Sequence, residues 1–140
     1  MSVTVEWANE EKSIILYTFK EQWGWDEFYA RWDWLKTALD ASDHPVSIIM
    51  DLRGTRYVPP DSFKHLRAIL EQIHPNFSRA TAYVGLGALS MMYNTVLRQL
   101  NPKLVDDYQA FFVPTLEEAR VLLDDWNEQL ARKTDQKGTP

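Results

Sequence analysis

The stretch Val46 to Gly54, VSIIMDLRG, constrains this chain more than any other. It opens as a nearly unbroken apolar run with a β-branched pair, Ile48-Ile49, and stops at a charged turn closed by Gly54. A strand that is apolar on both faces belongs inside a sheet covered on both sides. The functional groups of such a sheet tend to lie just past the C-terminal end of a central strand. Here that end is Asp51-Leu52-Arg53-Gly54, followed by Thr55 to Pro60. A working edge is expected there.

The flanking patterns supply the other layers. Val3, Val5 and Trp7 alternate with Thr4 and Glu6, and Ser13 to Lys20 is rich in β-branched and aromatic residues. Both read as strands, and the short Asn9 to Lys12 link makes them antiparallel neighbours. From Trp25 to Ala41 the residues Trp25, Phe28, Trp32, Leu35 and Leu39 recur at helical spacing. Further helices are predicted over Ser62 to Ile73, about Ala88 to Leu100, and Leu116 to about Ala131. Thr115 with Glu118 makes a capping box for the last of these, whose inward stripe is Leu116, Ala119, Leu123, Trp126 and Leu130. Ala80 to Val84 and Tyr108 to Val113 complete the strands. The expected fold is α/β, a single domain over residues 1–131. It has a five-stranded mixed sheet and four helices in the order β-β-α-β-α-β-α-β-α. Residues 132–140 are polar and expected to form a disordered tail.

Composition narrows the function classes. The 140 residues carry a net charge of −5, which argues against a general nucleic-acid binder. No cysteine is present, so disulfides, thiolate zinc sites and cysteine nucleophiles are excluded. The start, MSVTVEWANEEK, lacks the basic and apolar segments of a signal peptide. No apolar run approaches the ~20 residues of a membrane helix. A cytoplasmic protein without membrane insertion is expected. Six tryptophans are present, four of them between Trp23 and Trp34.

The element order, with Asp51-Leu52-Arg53-Gly54 after the central strand, resembles the STAS-like fold, and more narrowly the SpoIIAA-like family of small single-domain proteins. The resemblance covers roughly Val3 to Leu130. It implies a regulatory role through protein–protein contact. In the anti-sigma-factor antagonists of that family an Asp-Ser pair opens the helix after the turn, and its serine is phosphorylated. The matching positions here are Pro59-Pro60, which cannot accept phosphate, and the nearest Asp-Ser is Asp61-Ser62. A partner-binding role without the usual phosphoserine switch is the expectation.

Asp51, Arg53, Arg56, Tyr57 and Ser62 form the candidate partner or ligand edge, because arginine forks suit carboxylate and phosphate. The simpler role is a turn cap at Asp51, solvated arginines, and a first-turn Ser62. His44, His65 and His74 have no metal-binding spacing; His65 falls on the polar side of its helix and His74 at a helix end. Gly85-Leu86-Gly87 lacks the third glycine of a phosphate loop and reads as a strand-to-helix turn. Met91, Met92, Tyr93, Val96, Leu97 and Leu100 are either deeply buried or an adaptable docking surface. Trp34 falls opposite the apolar stripe of its helix, beside Glu27, Ala30, Arg31 and Ala41, and is the candidate interface residue. Covering by neighbouring loops or by the N-terminal hairpin is the alternative.

No catalytic, metal or cofactor residues are assigned, and nothing in the spacing motivates an enzyme. The rival to an interaction domain is a small-molecule or lipid carrier with a pocket lined by aromatics and methionine. A protein partner is expected, and homodimerisation stays open.

Overall fold

The computed structural model describes residues 2–55, 59–61, 64–65, 68–69, 74–85, 99 and 108–138. VSIIMDLRG is its middle strand. The strands are β1 (Val3–Trp7), β2 (Ile14–Lys20), β3 (Val46–Gly54), β4 (Phe77–Val84) and β5 (Gln109–Val113). They form one five-stranded sheet in the order β1-β2-β3-β4-β5. β1 is antiparallel to β2, and every other pair is parallel. The mixed α/β sheet is therefore as the sequence predicts.

Two helices are described rather than the expected four: α1 (Trp25–Asp40) and α2 (Leu116–Gly138). The predicted Ser62–Ile73 and Ala88–Leu100 helices lie largely outside the described residues; those that are described, 64–65, 68–69 and 99, are helical. The methionine-rich stretch Met91 to Leu97 also lies outside them.

Alternation along the strands sends side chains to two cores. On one face Val3, Ile15, Tyr17, Phe19, Val46 and Ile48 pack with Phe28, Leu35 and Leu39 of α1. On the other, Ile14, Ile49, Ala80, Ala82 and Val84 pack with Ala119 and Leu123 of α2. The α2 face of the sheet is lined by small residues, Ala80 and Ala82, and the α1 face by aromatic rings. Tyr17, Phe19, Trp23 and Phe28 have ring centroids 4.7–6.3 Å apart. Ile48 and Ile49 are buried and Met50 is half-buried, as a central strand requires.

Several boundaries differ from expectation. β4 starts at Phe77 rather than Ala80, because a bulge lets Phe77 pair with Val46 before Thr81 resumes the ladder opposite Ile48. Arg79 takes φ +70° in that bulge. Ser78 is turned inward, where it joins Ser47, with hydroxyl oxygens 2.5 Å apart. Ser47 donates in turn to Asn127 Oδ1 of α2 at 2.7 Å. This chain of hydroxyls gives buried polar atoms partners inside an apolar layer.

α2 starts where the capping box predicts, with the Thr115 hydroxyl accepting the Glu118 N–H at 3.2 Å. It then runs past Ala131 to Gly138, where a polar tail is expected from the sequence. An i,i+4 pair, Glu128 with Arg132 at 2.6 Å, supports that extension. His65 does not stay on a polar face. Its ring stacks on Trp25 of α1 at 4.3 Å, and Nδ1 shares a 2.7 Å hydrogen bond with the Tyr29 hydroxyl. Trp25 and Tyr29, four residues apart on α1, lie on one side of the helix, so the imidazole stacks on the first ring and meets the hydroxyl of the second. His74 bridges two turns, accepting the Asn76 N–H at Nδ1 and facing Asp40 Oδ1 across 2.6 Å from Nε2.

Candidate functional site

β3 ends with Asp51 facing into the sheet and Arg53 two residues on. Residues two apart on a strand share a face, so the arginine reaches back over the carboxylate. Arg53 Nε donates to Asp51 Oδ1 at 2.9 Å and Nη2 to Oδ2 at 3.0 Å. The Arg53 backbone N–H adds a third bond to Oδ1 at 3.2 Å. The two groups are unequally exposed. The Asp51 side chain is 10 % exposed, whereas the Arg53 side chain is 48 % exposed. A buried carboxylate therefore holds a half-exposed guanidinium in one orientation, with its outer N–H groups left toward solvent.

The neighbouring strand ends fit closely around this pair. Lys20, at the end of β2, lies in register with Gly54. A Cβ on Gly54 would stand 3.0 Å from the Phe19 carbonyl, so the position favours glycine. Gly85 follows β4 with φ +92°, and a Cβ there would stand 2.8 Å from Arg53 Cγ. Its N–H donates to the Val113 carbonyl of β5. The Thr55 hydroxyl donates to the Glu21 carbonyl at 2.5 Å and ties the segment after β3 to the end of β2.

Burial alone pushes the Asp51 carboxyl up. The side-chain and backbone hydrogen bonds from Arg53, with the charges of Arg53 and Lys20, outweigh it and hold the group below the usual carboxylate value. The hydrogen bond to Asp51 raises Arg53 in turn. The pair is thus ionised at neutral pH. An arginine locked in this way suits recognition of a carboxylate or phosphate, and it is a poor proton donor.

Of the candidate edge residues, Asp51 and Arg53 pair directly. Arg56, Tyr57 and Ser62 lie outside the described residues. Trp34 is elsewhere, on α1 toward β1, 38 % exposed and edge-on to Trp7 with centroids 6.0 Å apart. The hairpin thus covers Trp34 in part. Sequence reasoning missed Lys20, whose place opposite Gly54 depends on strand register. It also missed the role of Gly85, since a glycine-rich turn after a strand does not say which side chain crosses it.

The strand order runs without reversal from β1 to β5, so among the described residues the sheet has no switch point of the kind at which doubly wound sheets open a crevice. The Arg53 edge is a surface formed by strand ends. An open depression of about 440 Å³ lies at the opposite ends of the strands, lined by Asn9, Glu11, Ser13, Ile14, Arg120 and Asp124. Its lining is mostly polar. Among the described residues, no group of three or more histidine, aspartate and glutamate side chains is placed to hold a metal ion. No described helix is long and apolar enough to cross a membrane. No family model, curated protein or solved structure matches the chain.

Proposed function

We propose that this chain is a non-enzymatic, STAS-like regulatory interaction domain of the cytoplasm, docking a protein partner at the strand ends around Arg53. The observation that carries the reading is the Asp51–Arg53 fork: a buried acid fixes a half-exposed arginine at the end of the central strand. A fixed guanidinium loses less side-chain freedom on binding than a free one, so it suits an anchor for an acidic group. The partner chemistry is a surface carboxylate presented by another protein. Pro59 and Pro60 stand where the family's phosphorylated pair would be, so docking is not governed by a serine switch at that place.

The rival, a carrier for a small apolar molecule, rests on the aromatic content. The described rings argue against it, because Tyr17, Phe19, Trp23 and Phe28 spend their surface on one another. The absence of a strand-order reversal also favours a surface over a cleft.

Affinity capture from the native host with three baits tests the reading. The baits are wild type, Arg53→Gln and Trp34→Ala. Gln keeps a donor for Asp51 while removing the charge. A partner should be retained by wild type and Trp34→Ala and be depleted about tenfold or more on Arg53→Gln, as loss of a charged anchor worth ~1.4 kcal/mol or more requires. Equal recovery on all three baits would refute docking at Arg53.

A further inference from the structure

β1 lies at the border of the sheet, and its hydrogen-bonding pattern leaves one side open. Lys20 N–H donates to the Ser2 carbonyl and Ala8 N–H to the Ile14 carbonyl. With Thr4 opposite Thr18 and Glu6 opposite Leu16, the even-numbered residues are the ones that bond to β2. Val3, Val5 and Trp7 therefore turn their N–H and C=O groups outward. Among the described residues Arg31 occupies one of these groups, its Nε donating to the Val3 carbonyl at 3.1 Å. Soluble proteins blunt such borders with charged side chains, lysine above all, with proline or with a bulge. VTVEW has no lysine, proline or bulge and one charge, Glu6, and its register with β2 is unbroken from Val3 to Trp7.

We propose that this border is a self-association surface, and that its occupant is β1 of a second copy of the chain, paired antiparallel about Val5. The argument for a second copy is self-complementarity. A two-fold axis through Val5 sets Val5 opposite Val5, Val3 opposite Trp7, and Thr4 opposite Glu6. The outward N–H and C=O groups of Val5 and Trp7 and the Val3 N–H then meet their counterparts, and the Val3 carbonyl exchanges Arg31 Nε for the partner copy's Trp7 N–H. Thr4 and Glu6 form pairs without hydrogen bonds between their own backbones, the class in which side chains approach most closely. No like charges stand opposite one another. The axis is perpendicular to the sheet, so both α1 helices lie on the same face. Arg31 lies level with Val3, and Trp34 lies level with Trp7. Each Arg31 therefore comes level with the partner copy's exposed Trp34, an arrangement that suits a cation over an aromatic face. Pairing of β1 with β5 would instead be head-to-tail and open-ended, whereas β1 with β1 closes after two chains. The inference rests on the β1 border alone and is independent of the Arg53 edge.

Sedimentation velocity on the full chain over a concentration series tests it, using wild type, Thr4→Lys and Thr4→Glu. Thr4 is exposed and faces Thr18 within the chain, so both variants should fold, with circular dichroism as the check. Wild type should show a reversible monomer–dimer equilibrium. Thr4→Lys places lysine opposite the partner copy's Glu6 twice by symmetry and should tighten the dimer about fivefold; Thr4→Glu should loosen it about fivefold. A chain that stays monomeric throughout overturns the proposal. So does a dimer whose dissociation constant ignores both variants, because its contact lies on another surface.

Discussion

Gly85→Ala tests how the Arg53 edge is built. The perturbation adds one methyl group at a residue with φ +92°. An L-residue on the positive-φ side costs roughly 1–2 kcal/mol from the clash of its own Cβ with its backbone. The added Cβ would also stand 2.8 Å from Arg53 Cγ and 3.1 Å from both the Cα and the backbone nitrogen of Arg53. The side-chain carbon can swing aside, but the two backbone atoms belong to the central strand and cannot. Overpacking of this kind costs about 1–3 kcal/mol. Together the two effects predict a loss of roughly 2–5 kcal/mol, and urea unfolding should show it as a midpoint lower by about 1–2.5 M at a slope of ~2 kcal/mol per M. Gly24→Ser is the control, since an added Cβ at Gly24 meets nothing within 4 Å. Gly24 is the N-cap of α1 with extended backbone and no side-chain cap, so serine there should be neutral or stabilising by a few tenths of a kcal/mol. A Gly85→Ala protein that unfolds within ~0.5 kcal/mol of wild type, a typical surface effect, would refute the close approach of β4's end to Arg53.

A double-mutant cycle between Asp51→Asn and Arg53→Gln should give a coupling of about 1–2 kcal/mol, less than a fully buried pair because Arg53 is half exposed. The folded Asp51 carboxyl titrates below its unfolded value, so its stabilisation is present above about pH 4 and is lost as pH falls through the lower folded value. Acid unfolding of wild type and Asp51→Asn should therefore converge below about pH 4. His44 behaves in the opposite sense. Its hydrogen bond to Asp43 and its bond to the Lys12 carbonyl raise it, so its contribution is full below about pH 6.5 and disappears as pH climbs through the folded value. An NMR titration should place its midpoint above that of a free histidine; a midpoint at or below it would remove the Asp43 contact from the account. Trp32, half-buried and stacked on Phe28 at 5.5 Å, should destabilise the fold more than Trp34 when each is replaced by alanine. Thermal melts would check the order, with ~3 kcal/mol expected for Trp32 and less for the 38 % exposed Trp34.

The central strand was legible because a run such as Val46 to Met50 leaves little choice of environment: it is too apolar for an edge and too short for a buried helix. The two-sided sheet followed from it. The helical stripes of α1 and α2 were equally plain, since Phe28, Leu35, Leu39, Ala119 and Leu123 keep helical spacing and are buried. The β4 bulge was hidden, because Ser78 and Arg79 look like loop residues until Ser47 and Asn127 supply buried partners. The end of α2 was misjudged because polarity was read as disorder, although lysine, glutamine and arginine are good helix formers. At the candidate site, residue type and strand position pointed to Asp51 and Arg53. The locking of one by the other did not, since it depends on which rotamer the arginine takes. The His65 contact with Trp25 and Tyr29 spans about forty residues of chain, a separation that no local pattern reports.

Site-specific photocrosslinking in the native host tests the central claim most directly. One bait carries a photoreactive residue at Lys20, beside Arg53 at the strand ends, and another carries it at Asp124, exposed on α2 at the far ends of the strands. Docking at the Arg53 edge predicts a discrete crosslinked protein from position 20 that disappears when Arg53→Gln is added, and none from position 124. The same protein captured from position 124, or from position 20 with undiminished yield in the Arg53→Gln background, would contradict the account.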